Sequence, residues 1–204
     1  MNKLLVAIAL VVASHVAVLS QTAEEYKVYD AVIQNMFSGK SEGVDTGKLP
    51  ELLVIREGLR SETTFKRFLD DGATSVNEIT KIMDIQLDTY EDFRSNTKTG
   101  GRLSRSFAAG LMYVIVPNEK ISSFFEGPSD GAQIENGWQA YYKEYPTSGG
   151  YISFSHVGFN KANDEAIVYF QHSCGSLCAS GYYLVLNKQK TTWRVKNRRM
   201  LWIS

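Results

Sequence analysis

The last quarter of this 204-residue chain constrains its fold most. From Tyr151 to Ser204, apolar runs follow one another with only short turns between them. Tyr151–Phe159 alternates aromatic and β-branched residues with small polar ones, the two-residue period of a half-buried strand. That alternation puts Phe154 and His156 on one face. Val157 and Phe159 fall on the other, and Gly158 is placed to introduce a bulge that re-aims Phe159. Glu165–Gln171, Tyr182–Leu186 and Thr192–Lys196 read as further strands. Between them lie a turn at Asn160–Asp164, a small-residue loop at His172–Gly181 and a turn at Asn187–Lys190. Asn197–Arg199 reads as a bend before the closing run Met200–Ile203. Neighbours joined by short turns run antiparallel, because parallel neighbours need long crossovers. The expectation is a C-terminal antiparallel β-meander. Tyr182 and Tyr183 are adjacent and point to opposite faces, so one of them is exposed or lies under a second layer.

The rest of the chain reads as cover for that sheet. Thr22-Ala-Glu-Glu25 is a capping box, and Tyr29, Val32, Ile33, Met36 and Phe37 behind it form one apolar helical stripe ended by Ser38-Gly39. Leu52–Ile55 is a short buried strand after Pro50. Phe65, Phe68 and Leu69 suggest a helical turn or two. Ser75-Val-Asn-Glu78 is a second capping box. The stripe Val76, Ile79, Ile82, Met83, Leu87, Tyr90 and Phe93 predicts one helix over about 76–93. Leu111–Val116 is another buried strand, closed by Pro117. Asn118–Phe125 forms a turn or two of helix burying Ile121, Phe124 and Phe125, and a turn cluster spans Gly127–Gly131. Trp138, Tyr141, Tyr142 and Tyr145 lie at helical spacing, ended by Pro146. Helices and isolated strands first, then a run of strands, is the order of an α+β fold. A sheet curved around the two amphipathic helices, as in cystatin or nuclear-transport-factor folds, accommodates both stripes by analogy.

Charge and the first residues bear on compartment and partners. The 22 basic residues balance the 22 acidic ones, which argues against nucleic acid as the main partner. Met1 to about Ser20 reads as a signal peptide, with Lys3 as its charged start, Leu4–Val12 as its apolar stretch and Ser20 at the cleavage point. Ser14 and His15 interrupt that stretch, which falls short of the roughly 20 apolar residues of a membrane span. The expected product is one domain over 21–204, secreted or periplasmic, with no stable membrane anchor after cleavage.

From about Tyr26 onward the chain resembles a group of uncharacterised bacterial exported proteins. The resemblance rests on Tyr26-Lys-Val-Tyr29, Leu53-Val-Ile55, Trp138 with Tyr145-Pro146, Ser155-His-Val-Gly-Phe-Asn160, Cys174-Gly-Ser-Leu-Cys178 and Leu201-Trp-Ile-Ser204. It implies export and a single domain, and it brings no activity with it.

Few residues carry chemistry. Cys174 and Cys178 are the two cysteines, and in an exported chain they form a disulfide that stiffens a hairpin tip. Closing so small a loop contributes about 2 kcal/mol. Free thiols, redox chemistry, and metal ligation with His172 and His156 stand as alternatives. His156 reads first as a hydrogen-bonded sheet histidine and second as a catalytic base. A nucleophilic pair of Cys174 with either histidine lacks any local signature. The Trp138 cluster reads as a packing face, with sugar stacking as the functional alternative. No phosphate loop, serine elbow or metalloprotease motif occurs, so no metal or cofactor is expected. Three functions are weighed. The leading one is a non-catalytic binding or interaction module. A small hydrolase using His156 or His172 needs one of them in a cleft beside Asp, Glu or Cys. A small-molecule carrier needs one cavity lined by residues such as Tyr90, Trp138 and Phe154, with His156 and His172 as further pocket candidates.

Overall fold

The C-terminal meander forms, and its strands run further than the apolar pattern suggests. In the computed structural model, which describes residues 22–37, 50–65, 75–104, 107–108, 110–127 and 131–204, β5 (Glu165–Gly175), β6 (Cys178–Gln189) and β7 (Thr192–Ile203) pair antiparallel in sequence order. The stretch His172–Gly181, expected as a loop, is strand except for the Ser176–Leu177 turn. Backbone hydrogen bonds need no apolar side chains, so the small residues there continue the ladder. The Cys174–Cys178 disulfide, with Cα atoms 5.0 Å apart, closes the tip. β7 runs unbroken through the expected bend at Asn197–Arg199. Two register shifts, opposite Gly181/Tyr182 and Val185/Leu186, absorb the curvature instead.

Four shorter strands complete the sheet: β1 (Leu52–Arg56), β2 (Tyr113–Val116), β3 (Ser148–Phe154) and β4 (Gly158–Phe159). The order is β2-β1-β3-β5-β6-β7, with β4 also on β5. β1 is parallel to both β2 and β3, so the sheet is mixed, not antiparallel throughout. Long helical connections separate β1 from both partners, which is what parallel pairing requires.

The helices are α1 (Ala23–Phe37), α2 (Glu62–Phe65), α3 (Val76–Met83), α4 (Leu87–Asn96), α5 (Asn118–Ser123) and α6 (Gly131–Glu144). Side-chain alternation sorts them onto two faces. Ile152, Phe154, Ala166, Val168, Phe170, Leu184 and Leu186 pack against Tyr29, Val32, Ile33 and Phe37 of α1. On the opposite face Ile167, Tyr169, Tyr183 and Val185 meet Met83, Tyr90 and Phe93 of α3 and α4. Further along that face Val54 and Val116 meet Ile121, Trp138 and Tyr141 of α5 and α6. The fold is α+β, but the sheet does not curve around the two amphipathic helices together. α1 lies on one face and the 76–96 helices on the other. Tyr182 and Tyr183 are accordingly both buried, each under its own layer.

The single helix expected over 76–93 is two. Ser75 and Glu78 form the capping box, but Asp84 adopts left-handed dihedrals (φ 54°) and ends α3. Gln86 then starts α4 without a side-chain cap of its own. The buried Glu165 carboxylate of β5 supplies one, accepting from Gln86 N at 2.7 Å and from Thr89 Oγ1 at 2.7 Å. A carboxylate is well placed against the unpaired N–H groups of a helix start. The signal peptide, the Ser38-Gly39 stop, Phe68, Leu69 and residues 128–130 of the turn cluster lie outside the described residues. Among the described residues no helix is long and apolar enough to cross a membrane.

β4 touches α4 so closely that a Cβ on Gly158 would overlap the backbone nitrogen and Cβ of Phe93. Gly158→Ala is expected to lower stability by about 1–3 kcal/mol, as overpacking does in a filled core. Urea unfolding measures this, and an unchanged midpoint would contradict the close β4–α4 contact.

Candidate functional site

The candidate site grows out of a break in the ladder. β3 and β4 both pair with β5, but Phe154 faces Phe170 whereas Gly158 faces Ile167, so Ser155–Val157 carries one extra residue. The expected bulge is present and lies just before Gly158. Ser155 makes it tolerable. Its N–H donates to Tyr169 O at 3.0 Å, and its hydroxyl accepts from Tyr169 N at 2.9 Å and donates to His156 O at 2.7 Å. A side-chain oxygen thus stands in for the missing ladder carbonyl.

α1 grips the bulge at two positions one turn apart. Tyr29 Oη donates to Ser155 O at 3.0 Å. Glu25 Oε1 faces His156 Nδ1 at 3.3 Å and accepts from Val157 N at 3.4 Å. The other carboxylate oxygen accepts from Thr22 N at 2.8 Å, while Thr22 Oγ1 accepts from Glu25 N at 3.2 Å. The capping box that starts α1 is therefore also the clamp on His156. A carboxylate only accepts, so the proton on the His156 ring belongs on Nδ1 in the neutral tautomer. Nε2 makes no hydrogen bond among the described residues. From the other side Asn96 Nδ2 donates to Val157 O at 3.1 Å, and Asp92 Oδ2 accepts from Phe159 N at 2.8 Å.

A cleft of about 480 Å³ opens here between Thr22, Glu24, Glu25, Asn96, His156 and Phe159. His156 is 6% exposed. Burial alone would raise the Glu25 carboxyl. Hydrogen bonds from His156, Thr22 N and Val157 N outweigh it and hold the group below its ordinary range. Burial likewise opposes ionisation of Glu24, but Lys188, Lys27 and the Trp193 indole pull its pKa down to about 2. Both carboxylates are thus ionised at neutral pH, Glu24 paired with Lys27 and Lys188, and one imidazole nitrogen is open to a ligand.

The other sequence candidates lie elsewhere. His172 is packed edge-on against Phe37 and donates from Nε2 to Gly149 O at 2.7 Å. Burial lowers its pKa, and the Gly149 bond opposes that only partly. Cys174 and Cys178 are joined at the hairpin tip, so neither is a thiol nucleophile in this state. Phe154, Tyr90 and Trp138 are buried in three separate packed clusters. The Trp138 helix packs by its aromatic face, stacking Trp138 on Tyr151 with ring centroids 5.8 Å apart. Among the described residues no group of three or more His, Cys, Asp or Glu side chains is arranged to hold a metal. Sequence reasoning read Glu25 only as a cap. The signal for its second role was faint, since its partner lies 131 residues away.

The chain matches no protein-family model, no curated protein and no solved structure.

The Glu25 network sets an acid limit. A carboxyl whose folded pKa is depressed stabilises fully above its unfolded value, near 4.5, and loses that contribution as pH falls through the folded value. Glu25→Gln is expected to cost about 1–3 kcal/mol at neutral pH and to flatten the acid decline of stability below the carboxylate range. Denaturant melts across pH 2–7, on the scale over which carboxylates titrate, check this. Parallel wild-type and variant curves would contradict it.

Proposed function

We propose that the protein is an exported, non-catalytic binding module whose recognition cleft opens beside His156. The observation that carries this reading is how the polar atoms around the cleft are used. Ser155 Oγ ties the bulge to β5, Thr22 Oγ1 and one Glu25 oxygen close the α1 cap, the other Glu25 oxygen holds α1 to the bulge, and His156 Nε2 is left over. A site with one open acceptor, carboxylates already engaged by lysines and backbone, and apolar walls at Val157 and Phe159 suits a small molecule bearing an N–H or hydroxyl donor. Export draws support from the amino-terminal pattern of Lys3 and Leu4–Val12 and from the disulfide, a bond typical of oxidising compartments.

A second reading is favoured by one contact. Glu25 beside His156 is the orienter-and-base arrangement that a hydrolase using His156 needs. It lacks a nucleophile of its own, because the nearby hydroxyls are committed, so such an enzyme would have to activate water.

The two readings separate cleanly. A thermal-shift screen of primary amines, amino acids and polyols is expected to yield a ligand that raises the wild-type melting temperature and leaves His156→Gln unmoved. Turnover of p-nitrophenyl acetate that drops about tenfold or more in both His156→Gln and Glu25→Gln would reject the non-catalytic reading.

A further inference from the structure

A second site takes shape on the sheet face away from α1. One row of directly paired residues crosses four strands there: Ser153 of β3, Gln171 of β5, Gly181 of β6 and Trp202 of β7. The rows on one side are apolar and aromatic, with Tyr169 against Tyr183 and Ile167 against Val185 beneath α4. On the other side Tyr151 stacks on Trp138 of α6. The row between is small and polar. Gly181 carries no side chain where the Trp202 indole and the Tyr169 hydroxyl fill the space of a Cβ. Ser153 Oγ is buried without a hydrogen-bond partner. A cleft of about 340 Å³ opens over this row, lined by Arg60, Thr64, Tyr169, Gln171 and Trp202.

Arg60 reaches over the row from the segment after β1. Its Nε and Nη2 both donate to the neutral Gln171 Oε1, at 3.4 and 3.1 Å. Gln171 Nε2 in turn donates to Ser173 Oγ at 3.1 Å. No carboxylate of the described residues pairs with Arg60. Glu62, close in sequence, is turned to Arg94 at 3.6 Å. Arg56 is in the same position, donating to Asn118 Oδ1 and Ser122 Oγ. Burial lowers its pKa, and the neighbouring charge of Arg60 lowers it further. Glu119 offsets part of this at Arg56, whereas Arg60 has, among the described residues, only the neutral Gln171 as a side-chain partner, and a buried charge is costly until it is paired. A guanidinium has five N–H donors. Gln171 occupies the Nε edge and leaves the Nη1/Nη2 edge, whose two parallel donors match a carboxylate.

We propose that this cleft binds a small organic carboxylate, its charged end bidentate on Arg60 Nη1 and Nη2 and its apolar body against Trp202 and the Tyr169 ring. The site is separate from the His156 cleft, which lies at the bulge between α1 and α4, and stands or falls without it.

Phenylacetate is the probe, titrated into the purified protein by calorimetry with tryptophan fluorescence in parallel. It binds saturably, and uncharged phenylacetamide binds at least about tenfold more weakly, because the charge-assisted pair is lost. Arg60→Gln loses at least about tenfold in affinity, and Arg60→Lys falls between it and wild type, since a point charge replaces the fork. Arg102→Gln, which removes the same charge at an exposed position, binds as wild type. The acid–amide comparison on the wild-type protein needs no variant and holds even where Arg60→Gln unfolds. No saturable binding of phenylacetate at millimolar concentration overturns the proposal. Equal affinity for acid and amide, or a folded Arg60→Gln that binds as wild type, overturns it too. Inorganic phosphate binding as tightly as phenylacetate also overturns it, because the apolar wall would then contribute nothing.

Discussion

The β5–β6 hairpin is buried on both faces over most of its length, and the architecture follows from that. Its even-numbered residues, Ala166 to Phe170 and Tyr182 to Leu186, need cover on one side. Its odd-numbered residues, Ile167, Tyr169, Tyr183 and Val185, need it on the other. A sheet with one wet face would leave a continuous aromatic and aliphatic surface in water. Fully burying each such side chain is worth about 1.5–3 kcal/mol. Two helical layers answer the demand: α1 alone on one face, and α3 to α6 in two groups on the other. The break at Asp84 serves the same end, because it lets α4 start over the Glu165 carboxylate and lie across Tyr183.

Double cover also dictates where polar chemistry can sit. Between a helix and a sheet nearly all polar atoms find an internal partner. The open chemistry is therefore found where the ladder or the cover stops. One such place is the Ser155–Val157 bulge, where backbone leaves the sheet and α1 supplies Glu25 and Tyr29 as partners. The other is the row through Gln171 and Gly181, between the α4 and α6 groups, where Arg60 lies over the strands. The first site offers a hydrogen-bond acceptor at the bulge between α1 and α4, and the second a cation. They suit different ligand chemistries.

What could be read from the residues was local. The Thr22 and Ser75 capping boxes, the α1 stripe, the apolar runs of β5 and β6 and the pairing of two cysteines each depend on neighbours within a few positions. What could not be read was long-range. The position of β1 between β2 and β3 is set by helical crossovers, not by its own four apolar residues. The continuous stripe from Val76 to Phe93 hid a left-handed Asp84, because an aspartate tolerates that conformation without altering the apolar spacing. Glu25 looked like an ordinary cap. Arg60 sat in a stretch without clear periodicity, so nothing in its neighbourhood announced that it would cover Gln171.

The tautomer of His156 tests the account most directly. In it the α1 cap, the bulge and the cleft are one unit, joined through the Glu25 carboxylate. Long-range nitrogen–proton correlation spectra of the histidine rings, recorded where the ring is neutral, report which nitrogen carries the proton. The account predicts a proton on Nδ1 of His156 and a bare Nε2, and it predicts that Glu25→Gln disturbs that assignment. A proton found on Nε2, indifferent to the residue at position 25, would contradict it.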